Sequence, residues 1–262
     1  YIYVWMDAPV GYLSSIKNWC DMNKYDYEKL LSDKDTKLVH FIGKDIVYFH
    51  LLFWPAMLHA AEIENIEEVF VHGFLTIEGM KMSKSRGNFI LADKALEYAN
   101  ADFYRYYLSS KLNTDISDIN FSVDDFVQKI NSDIIGKYIN IASRTQNFLT
   151  KHNNSEVKQN CQNETNKYKD LYAEIISQTN DREYSKALKN IMSIADEANS
   201  YISSMEPWSK AKDGDIDSCI EICSESLNLF KDLTILLSPY IPNITESLFE
   251  LLNLKQTDYD QI

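Results

Sequence analysis

The stretch Lys37-Leu38-Val39-His40-Phe41-Ile42-Gly43-Lys44-Asp45-Ile46-Val47-Tyr48-Phe49-His50 decides the fold class. Lys37 to Ile42 is rich in β-branched, aromatic and other apolar residues and reads as a strand, which Gly43 closes. Asp45 is expected to cap a helix running to about Ala61, whose apolar residues cover nearly the whole circumference and so predict a buried helix. Working outward, Tyr1 to Met6 reads as a strand ending at Asp7-Ala8-Pro9. Gly11 to Leu31 carries Leu13, Ile16, Trp19 and Cys20 at helical spacing and reads as a helix and its loop. Glu68 to His72 is a third strand, closed by Gly73. Strands alternating with helices, with polar residues directly after the strands, predict a parallel α/β sheet that takes ligands at its carboxyl edge. Three strands make half of such a sheet.

Beyond a loop at 79–88 come short helices near Asp93 to Tyr98 and Ala101 to Leu112, then a polar segment, Asn113 to Asn120, that marks a boundary. From Ser122 onward the pattern is helical: 124–152, about 165–179, 182–204, 217–238 and 243–253. The breaks fall at the Asn/Lys/Gln-rich stretch 153–163, at Pro207, and at Pro239 and Pro242. The expectation is a chain that is α/β and then all-α, with a half-sheet domain over 1–121 and an antiparallel helix bundle over 122–262.

Composition bounds the partners. The net charge is −13, and it is spread: residues 1–120 hold 12 basic and 17 acidic side chains, residues 121–262 hold 14 and 22. That excludes binding to nucleic acid through a broad basic field and leaves room for a local patch. No apolar run has the length of a membrane span, since even Ile134 to Ile141 is broken by Lys137 and Asn140, so no membrane partner is expected. Cys20, Cys161, Cys219 and Cys223 form no knuckle and read as buried thiols in a reducing, cytoplasmic setting, with no protein-bound metal expected. The chain opens on Tyr1 in mid-strand without an initiator Met, which predicts that something precedes it.

Gly79 and Gly87 flank Met80 to Arg86, a loop that holds Lys81, Lys84 and Arg86 with two serine hydroxyls. Ammonium groups on a hinged loop suit a polyphosphate, because they neutralise charge developing on a departing pyrophosphate. A solvated basic turn is the plainer reading of most such runs. Here Lys81-Met82-Ser83-Lys84-Ser85 resembles the second signature of the class I aminoacyl-tRNA synthetases. The flanks, Trp5-Met6-Asp7-Ala8-Pro9-Val10-Gly11-Tyr12, Phe41 to His50 with Phe53-Trp54-Pro55-Ala56-Met57, and Val71-His72-Gly73, are similar to the methionyl-tRNA synthetase family in order and spacing.

Ile46, His50 and Trp54 fall at i, i+4 and i+8, one stripe of a helix. With Trp5, Ala8, Pro9 and Tyr12 they are able to enclose a slender apolar side chain, and aromatic rings favour a thioether. An aromatic stripe alone reads equally as plain core. The resemblance implies methionine contacts at Ala8, Pro9, Tyr12, Ile46, His50 and Trp54, with Trp5 shaping the pocket. It implies nucleotide contacts at Gly43, Asp45 and Leu75, with His72 near the phosphates and Lys81 and Lys84 handling them. Lys84 is the principal catalytic candidate, and ATP with Mg²⁺ is the implied co-substrate. In the helical part, Asn140 and Arg144 lie one turn apart and Trp208 follows Pro207. Amide and guanidinium groups read base edges of unpaired nucleotides and indole offers a stacking platform. The resemblance assigns these three to the CAU anticodon of methionine tRNA.

The family's first signature, His-Ile-Gly-His, does not occur in these 262 residues. The resemblance therefore implies a methionine–tRNA ligase fragment whose amino-terminal catalytic half is missing and which is inactive alone. Two other readings stay open: a non-catalytic RNA-binding module, and a synthetase-like regulator.

Overall fold

The computed structural model describes residues 8–63, 66–83, 85, 87–158 and 160–254. The expected strand at Tyr1 to Met6 lies outside them, as do Trp5, Lys84 and Arg86. Contacts divide the chain into two compact units: the described part of Tyr1–Leu75 with Asp115–Asp118, and Thr76–Thr114 with the described part of Ile119–Ile262.

In the first unit, α1 (Val10–Asn23) ends where Lys24 turns left-handed at φ 60°, and α2 (Tyr27–Ser32) is capped by the Asp26 carboxylate accepting from the Lys29 amide. Strands β1 (Leu38–Gly43) and β2 (Ile66–His72) pair in parallel, with Gly43 opposite His72. Alternation along β1 buries His40 and Ile42 and exposes Val39 and Phe41. The connection is a 3-10 turn (Lys44–Ile46), a π-helical turn (Phe49–Phe53) and α3 (Trp54–Ala60).

Two expectations about this connection are corrected. Asp45 is not the cap: Gly43 holds that position and Asp45 sits inside the 3-10 turn, its carboxylate folded back beside Gly43. The helix is also not buried all round. His50, Trp54 and Leu58 are buried, whereas Tyr48 is 75% exposed, Leu51 54% and Leu52 59%. An apolar circumference predicts burial only where other chain covers every side, and the described residues cover one.

The polar segment 113–120 is not a simple boundary. Asp118 accepts from the Phe74 amide at 2.8 Å and meets the Lys44 ammonium at 2.7 Å. A Cβ on Gly73 would come within 2.0 Å of the Ser117 carbonyl oxygen, so only glycine fits beneath that segment.

The second unit begins with a hairpin of β3 (Leu75–Ile77) and β4 (Met80–Lys81), turned by Glu78 and Gly79 at φ 48° and 76°. A strand the sequence reading did not foresee, β5 (Ile119–Phe121), joins β3, and Asn120 Oδ1 accepts from the Gly79 amide at 2.7 Å. Then come α4 (Ala92–Leu96) and α5 (Ala101–Lys111). One long helical run follows, α6 (Val123–Lys129), a π-helical stretch (Ile130–Ile139) and α7 (Asn140–His152). The remaining helices are α8 (Asn163–Asn166), α9 (Lys169–Asn180), α10 (Tyr184–Met205), α11 (Pro207–Lys212), α12 (Ile216–Leu237) and α13 (Pro242–Leu251). The apolar core joins Tyr106, Ile134, Tyr138, Ile141, Ile191, Phe230 and Leu233 among others. Described residues are mostly helical with two small sheets.

Gly73→Ala is expected to destabilise the first unit by about 1–3 kcal/mol, because its methyl meets backbone that cannot yield as a side chain would. Urea unfolding followed by fluorescence of Trp19 and Trp54 tests this, and an unchanged midpoint would contradict it.

Candidate functional site

The start of α1 and the connection after β1 line a cavity of about 310 Å³, bounded by Ala8, Pro9, Gly11, Tyr12, Ser15, Ile46, Phe49 and His50. Five of the seven residues proposed for the amino-acid side chain, Ala8, Pro9, Tyr12, Ile46 and His50, therefore face one space. Trp54 does not line it directly. It is buried behind, its ring 6.4 Å from that of Tyr12.

The hydrogen bonds fix the tautomers. His50 Nδ1 lies 3.0 Å from the Ile46 carbonyl oxygen, which only accepts, so Nδ1 carries the proton and, in the neutral ring, Nε2 is the acceptor. The Tyr12 hydroxyl, 2.9 Å away, then donates to Nε2. Its hydrogen is turned toward His50, and donation to a thioether sulfur in the cavity requires the hydroxyl to rotate. The backbone reason is local: the i, i+4 spacing of Ile46 and His50 holds the imidazole on the carbonyl of its own helical run.

Sequence reading missed His40. It is buried, its ring centroid lies 4.9 Å from Tyr12 and 5.4 Å from His50, and its Nε2 accepts from the Trp54 indole at 3.3 Å. Burial, with the neighbouring His50, pushes its pKa below the ordinary histidine value. The available signal was strand alternation, which puts His40 on the inward face with Ile42.

Gly43, Asp45 and His72 meet at the carboxyl ends of the paired strands: a Cβ on Gly43 would lie 2.8 Å from Asp45 Oδ1 and 4.0 Å from His72 Cε1. His72 donates from Nδ1 to the Gly73 carbonyl at 2.8 Å, which leaves its Nε2 the unprotonated nitrogen of the neutral ring. Leu75 follows in β3, half-buried.

In the second unit, Lys81 occupies the end of β4 and is exposed, while Lys84 is outside the described residues. Both glycines flanking the loop have positive φ, 76° at Gly79 and 72° at Gly87. Asn88 ties the loop across its base, accepting from the Ser83 amide at 2.9 Å and donating to the Lys81 carbonyl at 3.2 Å. Sequence reading passed over this residue.

Asn140, Arg144 and Trp208 are brought together. The Arg144 guanidinium carbon lies 5.4 Å from the centre of the Trp208 ring, which is 41% exposed. Asn140 Nδ2 donates to Asn199 Oδ1 at 2.9 Å, and Arg144 donates to the Asn199 carbonyl at 3.1 Å and to the Ser203 hydroxyl at 3.0 Å. Trp208 reaches this place because Glu206 leaves α10 left-handed at φ 47° and Pro207 starts α11.

The first unit thus carries a small cavity, and the second carries a loop flanked by two glycines of positive φ and an arginine–indole pair. Residues 1–146 match the family described as tRNA synthetases class I (M), and residues 152–261 match the anticodon binding domain of methionyl tRNA ligase. The chain belongs to the class I tRNA synthetases of the methionyl type. The methionine–tRNA ligase of Neisseria meningitidis serogroup B is 44% identical over 259 residues, which are 97% of this chain and 38% of that protein. That of Methylibium petroleiphilum is 46% identical over 92% of this chain and 36% of its own length. The chain thus spans less than two fifths of the length of these relatives. Among solved structures, a Mycobacterium tuberculosis methionyl-tRNA synthetase bound by methionyl-adenylate superposes with a TM-score of 0.79 at 26% identity, over 97% of this chain and 50% of that one.

His40 is expected to titrate below pH 6.5, read by NMR of its ring protons. Its folded pKa is depressed, so the unfolded chain takes up the proton first. The contribution of neutral His40 to stability is present above about pH 6.5 and is lost as pH falls through the folded pKa. His40→Gln, which keeps an acceptor for Trp54, is expected to flatten that loss. Equal acid sensitivity in the variant would contradict the assignment.

Proposed function

We propose that this chain is the part of a methionine–tRNA ligase that holds the methionine side chain, works the phosphates of ATP and reads the anticodon. The parent enzyme joins the methionine carboxylate to the α-phosphate of ATP, releasing pyrophosphate, and passes the methionyl group from the adenylate to tRNA. Residues 1–121 are the second half of a Rossmann-type catalytic domain, and residues 122–262 are the helix-bundle anticodon-binding domain. The setting is cytoplasmic.

Trp5, Ala8, Pro9, Tyr12, Ile46 and His50 surround the side chain of methionine, backed by Trp54. A cavity near 310 Å³ is at the small end of ligand pockets, which suits one amino acid. Gly43 and Leu75 contact the nucleotide through backbone, and Asp45 accepts from ribose hydroxyls. His72, Lys81 and Lys84 stabilise the phosphate charge that develops as pyrophosphate leaves, with Mg²⁺ supplied together with ATP. The amino-terminal half, with the other catalytic signature, is the partner that covers exposed apolar residues such as Phe41, Tyr48 and Leu52.

The observation that supports this reading most is the grouping of Asn140 and Arg144 with Trp208 in a chain whose carboxyl-terminal part matches an anticodon-binding family. The purified chain is expected to bind a stem-loop bearing the CAU anticodon more tightly than one with an altered anticodon, measured by fluorescence anisotropy. Trp208→Ala is expected to weaken that binding by about 1–3 kcal/mol, the value of one base stacked on an aromatic ring. Equal affinity for the two stem-loops, or no loss in Trp208→Ala, would contradict the assignment.

A further inference from the structure

Asn199 on α10 hydrogen-bonds to both Asn140 and Arg144 of the proposed anticodon-reading cluster. Its Nδ2 donates to the Lys137 carbonyl and to the Ala195 carbonyl, each at 2.8 Å. Those two bonds use both amide hydrogens and fix the orientation of the side chain, so that Oδ1 points the other way. Oδ1 accepts from Asn140 Nδ2 at 2.9 Å and from Arg144 at 3.4 Å. The Asn199 backbone oxygen accepts from Arg144 at 3.1 Å and from the Ser203 hydroxyl at 2.9 Å, and Ser203 in turn accepts from the second guanidinium nitrogen at 3.0 Å.

The consequence concerns which atoms stay available. Arg144 has five N–H groups, and its three bonds to Asn199 and Ser203 come from the two terminal nitrogens, two from one and one from the other. Nε–H and one terminal N–H remain, on a guanidinium already held beside the Trp208 ring. Asn140 has one amide hydrogen committed, so its Oδ1 and its other hydrogen form a donor–acceptor pair on the far edge. Left to themselves, an arginine and an asparagine on a helix surface sample several rotamers each, and binding must then select one. Here the Asn199 amide, anchored to two backbone carbonyls, fixes Asn140 and adds a longer bond to Arg144, whose guanidinium is also held by the Asn199 backbone oxygen and Ser203.

We propose that Asn199 is a positioning residue for anticodon recognition: it presets Asn140 and Arg144 so that their remaining polar edges meet an unpaired base stacked against Trp208. This rests on the reading that these three residues contact the anticodon. Asn199 itself acts through its neighbours. Ordering two side chains before binding removes an entropic cost that otherwise falls on the complex, and losing that order weakens binding by about tenfold or more. The loss falls on discrimination between anticodons, since phosphate contacts elsewhere do not use these groups.

The test is a double-mutant cycle on the 262-residue chain, with stem-loops bearing the CAU anticodon and an altered one. Asn199→Ala is expected to lower the ratio of the two affinities about tenfold with the melting temperature little changed. In an Asn140→Ala, Arg144→Ala background the same change is expected to have almost no further effect, because nothing is left to preset. Asn199→Asp keeps the shape and the acceptor oxygen and loses both donors to the carbonyls. It is expected to fall between wild type and alanine, and serves in its place if the alanine chain does not fold. An additive loss in the triple variant, or full discrimination in Asn199→Ala or Asn199→Asp, overturns the positioning role. If the wild-type chain does not distinguish the stem-loops, it is the anticodon reading that fails.

Discussion

The second unit depends on one constraint: α12 is buried on nearly every side and still carries polar residues. Fifteen of its twenty-two residues are buried, among them Ser224, Glu225, Ser226, Asp232 and Thr234. Buried polar groups without partners are costly, so these side chains dictate what packs around them. The Glu225 carboxylate accepts from the amides of Asn163 and Glu164, both at 3.0 Å, and so supplies from a distant helix the cap that the first turn of α8 lacks. Ser224 accepts from the Lys158 amide and Asn228 donates to the Cys161 carbonyl, fastening the polar stretch between α7 and α8. Thr234 meets the Tyr138 hydroxyl at 2.6 Å and locks the π-helical stretch in place. Burial pushes the Asp232 carboxyl upward, although the neighbouring Lys231 ammonium, 3.0 Å away, works against it.

From that centre the arrangement passes outward to the surface proposed to read the anticodon. The π-helical stretch leads directly into Asn140 and Arg144, and its Lys137 carbonyl is one of the two anchors of Asn199. Tyr106 and Lys129 hold the buried Asp133 carboxylate on the same stretch, at 2.7 and 2.8 Å. Burial works to raise that carboxyl, but these hydrogen bonds outweigh it and hold it below the usual carboxylate range. A π turn inside a helix is a local irregularity that the surrounding contacts have to maintain. In this chain those contacts are the hydroxyls of Tyr106 and Thr234 and the ion pairs of Asp133 with Lys129 and of Lys137 with Asp196, beneath the edge proposed for recognition.

Much of this was legible in the sequence, and the reasons differ from place to place. The longer helical runs of the second unit, at 123–152, 184–205, 216–237 and 242–251, were read to within two residues because amphipathic period and proline breaks are local signals, whereas α11 was read only as the break at Pro207, and α8 and α9 were read as one helix. The parallel pairing of β1 and β2 followed from two apolar runs closed by glycine with a helical segment between them. Asp45 was misread as a cap because an acidic residue after a strand is ambiguous by one position, and Gly43 took the cap instead. Strand β5 was hidden because three residues make too short an alternation to count, and its partner lies more than forty positions away. His40 and Asn199 were invisible because each matters through contacts across the fold, and Asn88 because its bonds to Ser83 and Lys81 depend on how the loop closes. The groups around the cavity were named from motif resemblance, and the proton arrangement of Tyr12 and His50 came only with their distances.

The central claim is that these residues are one working part of a methionine-activating enzyme. Methionine-dependent ATP–pyrophosphate exchange tests it most directly, assayed with the 262-residue chain alone and after adding a separately produced amino-terminal half from a related methionine–tRNA ligase. The account predicts no exchange from either piece and exchange from the mixture, lost again when Lys81 and Lys84 are both changed to Ala. Exchange by the chain alone, or full activity in the Lys81→Ala, Lys84→Ala mixture, would contradict it.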